Sequence, residues 1–425
     1  MFYPMLMTEE EKNIQKEVRE FVRDEVPHEL VRALDHDEIR SPREFIEKLA
    51  VHHLLGLRFD PKWGGRGLPW TAEVVAEEEI GILGITLGCA FVMPSIVGEA
   101  LTVFGSEEQK EKYLKPILQG KLICAEALTE PRGGSDFFGA TTKAELKQDH
   151  FVLNGQKRFV VGATEADLFL VYCRTNFSGE AQKYQRISAI LVERGAGVET
   201  EYQYGLMGTR GGGTGRLVFR NVEVPRENLI GELHGGAEVF NRMMLPERLT
   251  SAAASLGVRA ALEIATRYSD KRYAFGQPIR NFQAVNFMVA DAITRLDAAR
   301  ALVYMAARAV DSGAPNSRRL VSEAKKFATD TAWEVANKAM QIMGGIGYTE
   351  IYPVEKMVRD YRLAQIWTGT NEIMNLMIQH EYYKEVLEGG MDQRNVELDA
   401  RTHGAEAEKC LTDEDMWRVH DGQRG

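Results

Sequence analysis

The hydrophobic period of this chain changes twice, and that change limits it to an order of helices, then strands, then helices. Thr8 and Glu11 have the spacing of a capping box, and Ile14, Val18, Phe21 and Val22 follow on one helical face. Pro42 marks the start of a second helix, residues 61–67 read as a loop, and glycine-rich turns surround Gly81, Gly84 and Gly88 before helix runs on to about 118. Near residue 125 the period becomes 2. Phe151, Val152 and Leu153, then Asn154-Gly155, then residues 158–161 read as a hairpin with a type I′ turn. Residues 168–172, 187–192 and 217–224 are further strands, the last closed by Pro225. After Gly235-Gly236 the helical period returns. Leu249, Ala253, Leu256, Ala260 and Ile264 form one stripe, and Val285, Met288, Ala292, Leu296, Ala299 and Val303 another. Residues 311–315 break the bundle, and helix resumes through Met343.

The expected organisation is α+β and multidomain: a helical domain over 1–123, a middle β-domain over 124–235, a helical bundle over 236–388 and a polar tail over 389–425. A β-domain between two helical domains leaves a cleft where the three meet, a common place for a ligand.

Composition narrows the function. A net charge of -10 disfavours nucleic acid, which needs a basic face. No apolar run is read as approaching the roughly 20 residues of a membrane span. The first residues lack a basic region, so the protein is expected to remain in the cytoplasm. Cys89, Cys124, Cys173 and Cys410 are scattered without a CxxC pair, which indicates buried thiols and no metal site. The glycine run 211–215 lacks a Gly-Lys-Ser/Thr ending and leads into a strand, so it is not a phosphate loop.

Four segments carry more specific information. Residues 125–136 read Ala-Glu-Ala-Leu-Thr-Glu-Pro-Arg-Gly-Gly-Ser-Asp. Then come Arg272-Tyr-Ala-Phe-Gly-Gln-Pro-Ile279, Gln341-Ile-Met-Gly-Gly-Ile-Gly-Tyr348, and Tyr352-Pro-Val-Glu-Lys-Met-Val-Arg-Asp360 running on to Gly369-Thr370. In these motifs and their order, over about residues 8–388, the chain resembles the acyl-CoA dehydrogenase family.

The resemblance implies that family's fold, with a β-barrel or sandwich in the middle and a C-terminal four-helix bundle. It implies FAD at the cleft, an acyl-CoA substrate, a homotetramer built as a dimer of dimers, and an electron-transfer flavoprotein as acceptor. Leu128, Thr129, Ser135, Phe159 and Val161 are then expected beside the flavin, with Thr370 and Glu372 on the adenosine side. Arg272, a forked donor suited to pyrophosphate, is expected to be supplied with Phe275, Gln283, Gln341 and Gly345 by a neighbouring subunit. Ser135, Arg248, Trp367 and Gly369 are expected to touch substrate. Without the resemblance, Arg272 reads as a solvated helix-end residue, Gly345 as part of a helix cap and Phe159 as core.

The departures from the family carry information of their own. Phe159 and Val161 stand where the family usually has Trp and Thr, and Ala274 and Glu372 where Thr and Gln are common. Most members carry the catalytic glutamate just before the final Gly-Thr. Thr368 stands there and cannot act as a base near neutral pH, although its backbone N–H can serve a thioester carbonyl. Glu247, in Leu245-Pro246-Glu247-Arg248, matches the position used by isovaleryl-CoA and long-chain acyl-CoA dehydrogenases. It is the expected base, with Pro246 placed at a helix start. Read alone, Glu247 is an acid favoured in a first helical turn. A relocated base suggests a branched or cyclic acyl chain. Two other readings remain open: an oxygen-activating flavin oxidase or monooxygenase of the same fold, and a non-catalytic flavoprotein assembly partner.

Overall fold

The computed structural model describes residues 5, 7–388, 394 and 396–399. The tail expected over 389–425, with Cys410, therefore lies almost wholly outside the described residues.

The first helices are α1 (Glu9–Asp24), α2 (His28–Asp35), α3 (Arg43–Val51), α4 (Trp70–Ile80) and α5 (Ile85–Phe104); α6 (Glu107–Gln109) and α7 (Lys115–Leu118) follow, joined by a π turn. The Thr8 hydroxyl accepts the Glu11 N–H at 3.3 Å, and the Glu11 carboxylate accepts the Thr8 N–H at 2.9 Å, so two orphan donors are satisfied at the start of α1. Pro42 caps α3, the third helix rather than the second, because the short α2 intervenes after Pro27.

Helix α4 is the unusual one, since it takes Glu73, Glu77, Glu78 and Glu79 into the interior. Three are paired. Glu73 accepts from the Ser95 hydroxyl at 2.5 Å, Glu78 from Arg300 at 2.8 Å and Glu79 from Gln15 at 2.9 Å. Neither carboxyl oxygen of Glu77 has a hydrogen-bond partner. Gly88 does not sit in a turn as expected but inside α5, where a Cβ would stand 2.6 Å from Glu77 Oε1. The reading that no stretch is long and apolar enough to span a membrane also needs correction: α5 meets that test in its 20 residues. Its most apolar stretch is nevertheless 78% buried in the protein, as the central helix of a folded core would be.

The middle region is built on β1 (Cys124–Ala127), β2 (Lys143–Leu146), β3 (His150–Val160), β4 (Leu168–Arg174), β5 (Ile187–Glu193), β6 (Val198–Gln203), β7 (Gly215–Pro225) and β8 (Leu229–Ile230). They form one sheet in the order β6-β7-β3-β2-β4-β5-β8, with β1 parallel to β4. Three strands expected from the sequence appear as β4, β5 and β7. The hairpin at Asn154-Gly155 does not form. β3 runs straight through it and turns back earlier, where the Lys147 N–H meets the His150 carbonyl at 2.8 Å. Asn154 and Gly155 instead form an irregularity against β7, with the Asn221 N–H donating to Asn154 Oδ1 at 2.9 Å. Gly155 has φ 146°, and a Cβ there would lie 2.6 Å from the Thr142 Cα. Glycine is thus needed for close approach, not for a turn.

The C-terminal helices are α8 (Gly236–Ser255), α9 (Arg259–Lys271), α10 (Gln283–Asp311), α11 (Ser317–Met343), α12 (Val354–Ala364) and α13 (Asn371–Glu388); the short pair β9 (Tyr273–Ala274) and β10 (Gln277–Pro278) leaves α9. The first predicted stripe continues across the break between α8 and α9. Leu249, Ala253 and Leu256 are fully buried. In the second stripe Ala292, Leu296, Ala299 and Val303 face the core, while Val285 and Met288 are only half-buried. Asp311, at the end of α10, accepts the Trp70 N–H at 2.7 Å and the Thr71 N–H at 3.2 Å. The last residue of this bundle helix thereby caps α4 and fixes its buried carboxylates against the bundle.

Candidate active site

A cavity of about 890 Å³ opens among α4, α5, β1, β3, α8 and the turn after α12. It brings together, from the predicted set, Leu128, Thr129, Ser135, Phe159, Val161, Glu247, Arg248, Trp367, Thr368, Gly369 and Thr370. It does not include Arg272, Phe275, Gln283, Gln341, Gly345 or Glu372, all of which are exposed. Phe275 is 95% exposed, on the tip of the β9–β10 hairpin with φ 53°. Glu372 stands in the exposed first turn of α13, where the helix start favours an acid.

The cavity wall beside Leu128 and Thr129 is held by a buried ion pair. Lys157 is fully buried on β3 and donates to Glu130 Oε1 at 2.8 Å and to the Leu128 carbonyl at 2.9 Å. Glu130 also accepts the Thr141 N–H at 2.6 Å and the Thr142 N–H at 3.0 Å. Burial alone would push its carboxyl up. The Lys157 ammonium and these hydrogen bonds outweigh that and hold it down at about 2. Phe159 and Val161 lie at the end of β3 and just beyond it, not on the second arm of a hairpin. Phe159 has φ 57° and its ring is packed at 4.7 Å from that of Tyr204.

The opposite wall is the turn Trp367-Thr368-Gly369. Thr368 has φ 51°, a left-handed conformation that costs a β-branched residue strain, and its hydroxyl has no partner. Lys325 keeps the turn in place, donating to the Gly369 carbonyl at 2.8 Å and to Asn371 Oδ1 at 2.9 Å, and its burial lowers its pKa to about 7. The Trp367 indole N–H donates to the Ser251 hydroxyl at 3.0 Å, tying the turn to α8.

Glu247 faces this turn from the middle of α8, eleven positions after Gly236. Pro246 is therefore inside the helix and not at its start, so the bias of a first turn toward acids does not explain Glu247. The residue is 6% exposed, and its carboxyl Oε1 is sealed and has no partner. Desolvation raises its pKa, opposed by contact with Glu126 and by the Arg248 charge. Arg248 is itself buried, which lowers its pKa to about 10, and it reaches the Ser322 hydroxyl only at a long 3.5 Å. Glu126 on β1 and Glu77 on α4 line the same cavity, and burial pushes both carboxyls well up. Sequence reading passed over both, together with Lys157. A signal existed for Glu126, a charged residue between the small apolar Ala125 and Ala127 of a strand, both buried; Lys157 stands between the polar Gln156 and Arg158, which hides it. Glu77 sat unmarked in an acidic run.

A dry carboxylate facing an unsatisfied turn, in a cavity with aromatic walls, is a site for taking a proton from a bound organic substrate. Three family models match the chain in series: the acyl-CoA dehydrogenase N-terminal domain over residues 8–121, the middle domain over 125–222 and the C-terminal domain over 234–382. The chain is 36% identical to the caffeyl-CoA reductase–Etf complex subunit CarC of Acetobacterium woodii, covering 88% of this chain and 98% of that one. It is 33% identical to isovaleryl-CoA dehydrogenase of Bos taurus, over 88% of each. The solved structure of butyryl-CoA dehydrogenase from Megasphaera elsdenii superposes with a TM-score of 0.84 at 32% identity, covering 90% of this chain and all of that one. The chain belongs to the acyl-CoA dehydrogenase family and is an oxidoreductase of that class.

Proposed function

We propose that this protein carries out FAD-dependent α,β-dehydrogenation of an acyl-CoA thioester, with Glu247 taking the α-proton. The observation that supports this most strongly is Glu247 itself: a buried carboxyl, unsatisfied at Oε1 and raised by desolvation, opposite a Thr368 that leaves the usual acidic position empty. A base works best when its pKa approaches the working pH, and a dry wall achieves that for a carboxylate.

The residues present suit FAD. The Leu128–Thr129 wall, the exposed Phe159 ring and the unpartnered Thr368 hydroxyl offer a flat group both apolar surface and polar atoms. FAD, when bound, would supply the hydride acceptor. Leu128, Thr129, Ser135, Phe159, Val161 and Thr370 would hold it from this chain. Arg272, Phe275, Gln283, Gln341 and Gly345 would be supplied by a second copy in a homotetramer, and their exposure on a single chain suits that role. Ser135, Trp367, Gly369 and Arg248 position substrate, and the Thr368 backbone N–H polarises the thioester carbonyl as charge develops there. Trp367 and Arg248 also help to exclude water from Glu247.

The stacked Phe137 and Phe240 rings, 3.8 Å between centroids, and Phe138 beside them make a broad apolar wall suited to a branched or cyclic acyl group. An electron-transfer flavoprotein, the partner named for the Acetobacterium woodii relative, would reoxidise the enzyme in the cytoplasm. Anaerobic titration of the flavin band with straight, branched, cyclic and aromatic acyl-CoAs tests the proposal. Bleaching by a branched or cyclic thioester is expected. A flavin band that no thioester bleaches overturns it.

A further inference from the structure

Glu126 and Glu247 reach the cavity from different elements, the strand β1 and the helix α8, and their carboxyls meet. Glu126 keeps part of its surface on the cavity, but its Oε1 is sealed and without an ordinary hydrogen-bond partner, as are Glu247 Oε1 and the Tyr172 hydroxyl that faces Glu126 from β4. Two carboxyls in contact in a dry site cannot both be ionised, so the pair holds a proton. Neighbouring charges decide where it sits. Arg248 stands next to Glu247 and favours its ionised form. Among the described residues, Glu126 faces Glu247, the neutral Tyr172 hydroxyl and the Cys124 thiol, which burial keeps protonated, and no cation.

The remaining charged and titratable groups on the cavity do not change that order. Glu77 on α4 is buried and Cys89 on α5 half-buried; desolvation pushes the Glu77 carboxyl well up and the Cys89 thiol up to about 12, so both are neutral. Arg242 is committed to Glu99 at 2.6 Å, Arg158 lies over the Phe159 ring at 5.0 Å, and Arg318 on α11 acts on Arg248.

From this geometry we infer that Glu126 is a positioning residue: a protonated carboxylic acid that donates a hydrogen bond to the Glu247 carboxylate and aims it at the substrate. The inference rests on Glu247 being the base. When Glu247 takes the α-proton it becomes a second neutral acid while Glu126 keeps its own proton, so the pair passes from one negative charge to none. Holding that charge with a neutral donor keeps Glu247 ionised in a pocket whose dryness would otherwise protonate it.

Infrared spectra of the flavin-loaded protein near neutral pH test the proton's place without any substrate. Wild type minus Glu126→Gln should show a carboxylic-acid carbonyl band that the variant has lost, and wild type minus Glu247→Gln should show carboxylate bands, with Glu77→Gln identifying the other buried acid. The reverse assignment overturns the inference. The pH profile of flavin bleaching tests the positioning. Glu126→Gln keeps an N–H donor and should retain the wild-type profile. Glu126→Leu removes the donor and should move the acid limb up by about one to two pH units. Equal losses in both variants with no displacement of the limb would mean a merely structural role. If no thioester bleaches the parent, the proposed reaction fails, while the infrared comparison still decides where the proton lies.

Discussion

Lys157 and Glu130 form an ion pair at 2.8 Å in which the lysine is fully buried, and the same ammonium holds the Leu128 carbonyl at the cavity wall. A buried pair of this kind adds little over an apolar pair, but breaking it leaves one charge uncompensated. Lys157→Met should therefore destabilise the protein by about 3–5 kcal/mol, measured by denaturant unfolding.

The depressed Glu130 carboxyl also sets an acid limit. Its folded pKa lies below its unfolded value, so its contribution to stability is present above about 4.5 and is lost as pH falls toward about 2. Acid unfolding followed by tryptophan fluorescence should show this loss in wild type, with a smaller pH dependence in Glu130→Gln.

Glu247→Gln should lower the rate of flavin bleaching by a thioester roughly 10²–10⁴-fold, with the flavin band retained. The stability sign is opposite to that of Glu130. The folded pKa of Glu247 is raised, so its contribution is present at low pH and lost as pH rises through the folded pKa. The glutamine variant should accordingly lose less stability than wild type between acid and neutral pH, as thermal unfolding would show.

Thr368 at φ 51° stores strain that a glycine would not. Thr368→Gly should stabilise the flavin-free protein by about 1 kcal/mol while slowing bleaching, because the turn that presents the backbone N–H becomes less fixed. A fall in melting temperature would show that the conformation is not strained.

Gly155→Ala is the sharpest check on the sheet. A Cβ at 2.6 Å from the Thr142 Cα cannot be accommodated by side-chain motion, so a loss of about 1–3 kcal/mol is expected. In the two-residue hairpin turn that the sequence suggested, the loss would come from the backbone dihedral alone and leave β2 undisturbed. Amide exchange in β2 separates the two cases.

Much of this molecule is local and therefore legible. Thr8 and Glu11 are three residues apart, and a cap needs nothing more. The alternation in β7 and the stripes along α8 and α10 follow from which face must be dry, and the family motifs lie in contiguous runs. Reading failed where the partner was distant in sequence. Asn154-Gly155 looked like a turn because its real partners, Thr142 and Asn221, are 12 or more positions away. Pro246 looked like a helix start because the helix begins at Gly236, without a capping side chain to mark it.

The sequence by itself determined the order of helices and strands and put a carboxylate at Glu247 where Thr368 leaves none. Only the tertiary structure decided what that carboxylate meets. Glu77, Glu126 and Glu247 come from three elements spread over 170 positions, and no spacing rule links them. Exclusion of water raises the proton affinity of all three, and Glu247 raises that of Glu126 further, and those properties exist only once α4, β1 and α8 have closed around a common cavity.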